Sequence, residues 1–243
     1  MNAIQGARSR ARAEITAAIK EEARRQLADE GAARLSLRAV ARQLGMASSA
    51  IYRYFPSRDD LLTALIVDAY DAVGAAAERA LGSAGEHPDP VARWCEVCRA
   101  VRGWARDHPH EYALIYGSPV PGYAAPRDTA APAARIGRAL LIVAADARSA
   151  GLFTPPGPGR VPAAVADDLR QLAGRMAGDA PQAPPVPAEL LTAPLIAAWA
   201  QLFGLISFEL FGHFNRVIEA REEFFTASVT LLAHDVGLRS PGA

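Results

Sequence analysis

Residues 36–62 set small hydroxyls, phenols and guanidinium groups at helical spacing around a single glycine. Ser48, Ser49 and Arg53 share one side of a short helix, with Ala50 partly beside them. A serine hydroxyl donates to or accepts from several base edges, and an arginine reaches guanine with two parallel donors. Tyr52 and Tyr54 add phenolic donors suited to phosphate oxygens. Ser36, Arg38 and Arg58 stand at helix starts, where free backbone N–H groups favour the same anions. This is the chemistry of reading DNA, with base choice resting on 48–50 and 53 and positioning on the others.

The neighbouring residues explain how such a set would be held. Ser36 is placed to cap a helix over 37–44, and Val40, Ala41 and Leu44 give that helix a buried side. Gly45 supplies the left-handed conformation of a sharp turn. A second helix is expected over 48–55, anchored by Ile51 and Phe55 pointing inward. Pro56 ends it. Ser57 caps the next helix, whose first turn carries Asp59 and Asp60 where carboxylates suit the helix dipole. That helix keeps its apolar period through Leu61, Leu62, Leu65, Ile66, Ala69, Tyr70 and Val73 to near Leu81. Upstream, Ile15, Ile19, Ala23 and Leu27 recur every four residues and Gly31 stops the run. Residues 1–12, with Arg8, Arg10 and Arg12, read as a flexible basic arm.

Composition agrees with such a module on a larger helical body. The 243 residues are 51% hydrophobic and suit one large domain or two smaller ones. Alanine dominates and β-branched residues are sparse, which favours helix. Residues 1–60 hold 11 basic and 7 acidic side chains against 26 of each sign overall, so a basic front precedes an acidic remainder. Further helices are expected over 90–107, 110–116, 134–150, 163–176, 188–214 and 219–236, with Pro- and Gly-rich loops at 117–132, 151–162 and 178–187. No strand pattern is convincing. The expectation is an all-α chain: a three-helix helix-turn-helix domain over 1–60, then a helical domain over 61–243.

Two cysteines, Cys95 and Cys98, exclude a disulfide framework, and the N-terminus lacks a signal-peptide core. Both point to the cytoplasm. Leu190 to Phe208 is 19 residues without charge. It also contains Pro194, Gln201 and Gly204 and has no flanking basic cluster, so a helix at a subunit interface is expected rather than a membrane span. The C-x-x-C pair shares one helical face and reads as core packing, since a zinc site needs two more ligands. His108, His110 and Glu111 mark a helix boundary at Pro109. His213 and His234 read as interface residues. No nucleophile elbow, phosphate loop, dinucleotide fingerprint or H-E-x-x-H is present, so neither an enzyme nor a cofactor is expected.

The run Ile51-Tyr52-Arg53-Tyr54-Phe55-Pro56-Ser57-Arg58-Asp59-Asp60-Leu61-Leu62, with the Ala-x-x-x-Gly turn before it, closely resembles the DNA-binding domain of TetR-type transcriptional regulators over about 12–66. Ala47 departs from the serine that caps the second helix in many members, so Ser48 or Ser49 is expected to take over. The segment His108–Tyr123 and the pair Trp199–Gly204 and Glu209–His213 resemble the ligand domain of the Trp-His-Gly subgroup, with Phe203 at the histidine position. The resemblance implies a homodimeric repressor whose last two helices form the interface. A small molecule would bind in the C-terminal domain and change the spacing of the two reading helices on a pseudo-palindromic operator. It places Gly204, Phe208, Phe211, Gly212, Phe225, Val229 and Leu232 at the dimer interface. Trp104, Tyr112, Tyr116 and Phe203 are the expected pocket residues, and their lining suits an apolar or aromatic effector. An architectural or activating DNA-binding protein without an effector is the alternative.

Overall fold

The computed structural model describes residues 2–84, 87–126, 129–154, 162–178 and 193–242. Most of the expected loop at 178–187, part of that at 151–162 and the start of the expected 188–214 helix lie outside them. Among the described residues the elements are helical, apart from an isolated antiparallel bridge between Phe153 and Leu238. They are α1 (Asn2–Glu30), a 3-10 turn (Ala32–Arg34), α2 (Leu37–Gln43), α3 (Ser48–Ile51), α4 (Arg58–Ser83), α5 (Pro90–Asp107), α6 (Pro109–Tyr116), α7 (Ala130–Ala133), α8 (Arg135–Ser149), α9 (Ala163–Gly178), α10 (Ala193–Leu210) and α11 (Arg221–Asp235). The chain is all-α with an N-terminal helix-turn-helix, as its patterning requires.

Two compact units divide it. The first comprises residues 1–70 and 108–129, and the second 71–107 and 130–243. The first is therefore larger than a segment ending at residue 60, and it is discontinuous. Its core gathers Ile19, Ala23 and Leu27 of α1, Leu37, Val40 and Ala41 of α2, Ile51, Phe55, and Leu61, Leu62 and Leu65 of α4. Leu114, Val120 and Tyr123, from α6 and the loop after it, pack against the same core. Ionic ties add to this: Arg24 of α1 bridges Asp68 at 2.8 Å and Glu111 at 3.1 Å, and Lys20 meets Asp68 at 2.7 Å.

The expected flexible arm over 1–12 is instead the beginning of α1, which is helical from Asn2. Six of its twelve residues are alanine or arginine, which propagate a helix well and outweigh Asn2, Gly6 and Ser9. α1 stops where expected, at Gly31, whose N–H donates to the Leu27 carbonyl.

In the second unit α5 is central and packs against α8, α10 and α11. It buries Val91, Trp94, Cys95, Val97, Cys98, Val101, Trp104 and Ala105. Arg102, also buried, stacks over Phe225 and reaches Glu209 with two nitrogens at 2.7 and 2.9 Å and Glu222 with a third. Helices α5, α10 and α11 are thereby joined through one guanidinium. α10 is long and apolar enough to cross a membrane, with a mean hydropathy of 1.5, yet Leu195, Ala198, Leu202, Phe203 and Ile206 are buried within this unit. After α11 the chain pairs with the segment that follows α8. Thr154 N–H donates to Gly237 O at 2.8 Å, and Arg239 N–H to Leu152 O at 2.9 Å. Gly237 has φ +107°, and a Cβ there would lie 2.3 Å from the Thr154 carbonyl oxygen. Only glycine suits both constraints.

Candidate functional site

The helix-turn-helix segment is built from its caps inward. Ser36 Oγ accepts the Ala39 N–H at 3.4 Å and starts α2. At the other end Gly45 takes φ +64°, and Met46 N–H returns to the Ala41 carbonyl at 2.8 Å. This closes the helix with a six-to-one hydrogen bond of the kind a left-handed C′ residue permits. The chain then reverses into α3. Ala47 precedes α3 with an extended backbone and no side-chain cap, so neither Ser48 nor Ser49 replaces the missing capping serine. The helix is short. It ends at Ile51 rather than Phe55, and Arg53 and Tyr54 N–H groups continue as tight turns on Ala50 and Ile51. Ile51 and Phe55 are buried, each contributing about 1.5–3 kcal/mol through removal of apolar surface from water.

With the inner side fixed, Ser48, Ser49, Tyr52 and Arg53 are exposed and Ala50 is half-buried. Tyr52 keeps 42% of its surface open. Arg38 projects from the first turn of α2, and Arg42 is also exposed on that helix. Five of the expected residues are therefore open to solvent, and all are uncharged or basic. Tyr54 is half-buried and lies beneath Arg12, whose guanidinium carbon is 5.1 Å from the ring centroid. Arg12 also donates to the Arg53 carbonyl at 3.1 Å. Sequence reading missed this link because it treated residues 1–12 as an arm.

Arg58 differs from expectation. Its Nε donates to the Leu35 carbonyl at 3.2 Å, one terminal nitrogen donates to Ala32 and Ala33, and the other meets Asp59 at 3.5 Å. The guanidinium holds the 3-10 turn and the entry to α2 in place of a phosphate. Ser57 Oγ accepts the Asp60 N–H at 3.1 Å and donates to the Asp60 carboxylate at 2.7 Å, a local cap for α4.

In the second unit an apolar cavity of about 170 Å³ is lined by Ala133, Ala134, Gly137, Leu140, Leu141, Leu172, Leu195, Ile196 and Trp199. None of the four expected pocket residues lines it. Trp104 is buried, and Phe203 lies one layer away, its ring edge against Trp199 at 5.4 Å between centroids. Tyr112 and Tyr116 belong to the first unit, where their rings lie 5.1 Å apart and Tyr116 meets Tyr70 edge-on at 5.9 Å. Burial pushes the Tyr116 phenol well above its ordinary range. Side-chain size drew attention to the aromatics. Space is created instead by what is small, Ala133 and Ala134 at the junction of α7 and α8 and Gly137 in the first turn of α8.

The last two helices leave an apolar groove lined by Gln201, Gly204, Leu205, Phe208, Phe214, Phe224, Ser228, Leu231, Leu232 and Asp235. Phe208 and Leu231 are 51% and 64% exposed. Of the expected interface residues, Gly204 and Phe208 lie on this groove and Phe211 is exposed nearby. Gly212 sits in the turn beyond α10. Phe225 and Val229 face inward, at 2% and 0% exposure, and Leu232 is nearly buried at the groove floor. The outward stripe of α11 is Phe224, Ser228 and Leu231, one position before the expected one.

Cys95 and Cys98 are buried on α5. Burial pushes both thiols up, and Cys95 Sγ lies 3.4 Å from Thr230 Oγ1. Among the described residues no three His, Cys, Asp or Glu side chains gather as a metal site would.

Residues 19–65 match the family model described as bacterial regulatory proteins, tetR family, and residues 94–232 match the tetracyclin repressor-like C-terminal domain. The chain is 44% identical over 224 residues, 86% of either chain, to HTH-type transcriptional regulators of Mycobacterium bovis and Mycobacterium tuberculosis. Among solved structures, the regulatory protein SCO4313 is 32% identical, with 93% of this chain and 98% of that one covered and a TM-score of 0.68. The TetR family transcriptional regulator PfmR from Thermus thermophilus has a similar fold at 20% identity, with 89% and 97% covered and a TM-score of 0.54.

Proposed function

The chain belongs to the TetR family of bacterial transcriptional regulators, and on that premise we propose that it is a homodimeric repressor released from a pseudo-palindromic operator by a small apolar molecule. The observation that carries the reading is the segment from Ser36 to Arg53. Its inner side chains are buried and its Gly45 turn is closed by hydrogen bonds, while Ser48, Ser49 and Arg53 face outward. In this reading Arg53 and the two serines contact base edges, Ala50 packs against them, and Arg38, Tyr52 and the Ser36 helix start lie along phosphates. Tyr54 supports Arg12.

The cavity of the second unit supports the effector part. Its walls are aliphatic carbon and one indole, so an apolar or aromatic guest is favoured and a charged one is not. The groove of α10 and α11 supports the dimer, with Phe208, Phe224 and Leu231 meeting their copies across a two-fold axis. A gel-shift titration against the DNA upstream of the protein's own gene, at two salt concentrations and over excess random DNA, tests the reading. Salt-sensitive binding that survives the competitor is expected, with release by a small aromatic compound. Equal affinity for random DNA would defeat it.

A further inference from the structure

From Arg8 to Ile15 every residue of α1 is exposed, and burial begins in earnest only at Ile19. The helix therefore continues for about 16 Å past its own core, at 1.5 Å per residue. Packing does not account for that extension. It carries three basic groups, Arg8, Arg10 and Arg12, against one acidic residue, Glu14.

The three arginines are not equivalent. Arg10 has Glu14 four residues on, a helical spacing that neutralises it. Arg8 and Arg12 are themselves four residues apart and share a face. Neither has an acidic residue three or four positions away, and among the described residues neither forms an ion pair. Like charges at this spacing repel unless an anion lies between them. Arg12 fixes where that face points, since it stacks on Tyr54 and donates to the Arg53 carbonyl. Side chains on a helix lean toward its N-terminus, so Arg8 extends one turn further along the same side.

We propose that Arg8 and Arg12 form an anion clamp on α1 for DNA phosphate beside the bases read from α3, a second DNA contact outside the helix-turn-helix. The inference rests on the DNA-reading proposal above. The contact carries no base choice. It adds affinity to any duplex and lengthens the footprint of each protomer.

The test uses the full chain, a duplex selected by it from a random-sequence pool, and a random duplex of the same length. Arg8→Ala is expected to weaken binding to both by the same factor, about 5–10-fold at low salt. It should also flatten the salt dependence by about 1.8 per dimer, one phosphate for each protomer. Arg8→Lys should recover most of the affinity, and Arg10→Ala should have a smaller effect than Arg8→Ala. Wild-type affinity and slope in Arg8→Ala overturn the clamp while leaving the reading segment intact. A loss confined to the selected duplex overturns it as well, since that would be base readout. A wild-type chain that enriches no sequence from the pool and does not bind the random duplex removes the DNA-reading proposal and this inference with it.

Discussion

The reading face and the α10/α11 groove are both open surfaces, but they are open in opposite ways. The first presents hydroxyls and guanidinium groups on a segment of 18 residues whose inner side is fully committed. The second presents phenylalanine and leucine. Behind each lies an arginine turned inward. Arg58 braces the reading segment through backbone carbonyls, and Arg102 braces the two late helices through the carboxylates of Glu209 and Glu222. A hydrated face suits a partner that keeps its water and counterions until contact. An apolar face suits a partner buried permanently. Exposure alone therefore does not identify a partner. The chemistry of what is exposed does, and each face needs its own kind of brace.

The largest expected effect comes from breaking the apolar side of this contrast. Phe208→Glu with Leu231→Glu would put carboxylates in the groove, and the protein should sediment as a monomer. Operator affinity should fall about 100-fold, roughly 2.8 kcal/mol, as one half-site is lost from each complex. A dimer that persists in the double variant would move the interface elsewhere. Arg53→Ala probes the hydrated side. It should cost about 1–3 kcal/mol on the selected sequence with little change on random DNA. Equal losses on both would take Arg53 out of base readout.

Arg58→Ala separates the brace from the face. Loss of the donors to three backbone carbonyls should lower unfolding free energy by about 1–2 kcal/mol in urea titration, with the salt slope of DNA binding unchanged. A flatter slope would return Arg58 to the phosphate contacts. The smallest effect is Glu222→Gln. Arg102 holds this carboxyl below its ordinary 4.5, so its contribution is present above that value and is lost as pH falls through the lowered one. The side chain is 60% exposed, which limits the difference from wild type to under about 1 kcal/mol. That difference should vanish in acid, and one that persists there would rule out the ion pair as its origin.

The helix-turn-helix was legible because its constraints are local. A capping serine, a glycine at positive φ and alternating buried and open positions all fall within 20 or so residues. α5, whose apolar residues recur at regular helical spacing, was equally plain. The face of α11 was not. Phe224, Phe225, Val229, Leu231, Leu232 and Ala233 run around the helix, so the pattern does not say which side meets α5. The cavity was illegible for another reason. It exists where α7, α8, α9 and α10 fail to fill space, and a void between distant segments leaves no periodic trace. The helical start of α1 was masked by its lack of an apolar face.

The discontinuity of the first unit has a consequence for biosynthesis. Leu114, Val120 and Tyr123 complete a core begun by Ile19. During translation, residues 71–107 leave the ribosome before that closing segment does. The nascent chain must therefore hold an incompletely covered core through more than thirty additional residues, for several seconds at typical elongation rates of about 5–20 residues per second. Contacts formed so far apart in sequence also slow folding. A fragment ending at Tyr70 would present the same uncovered surface permanently, so minimal versions cut at the end of the motif should aggregate.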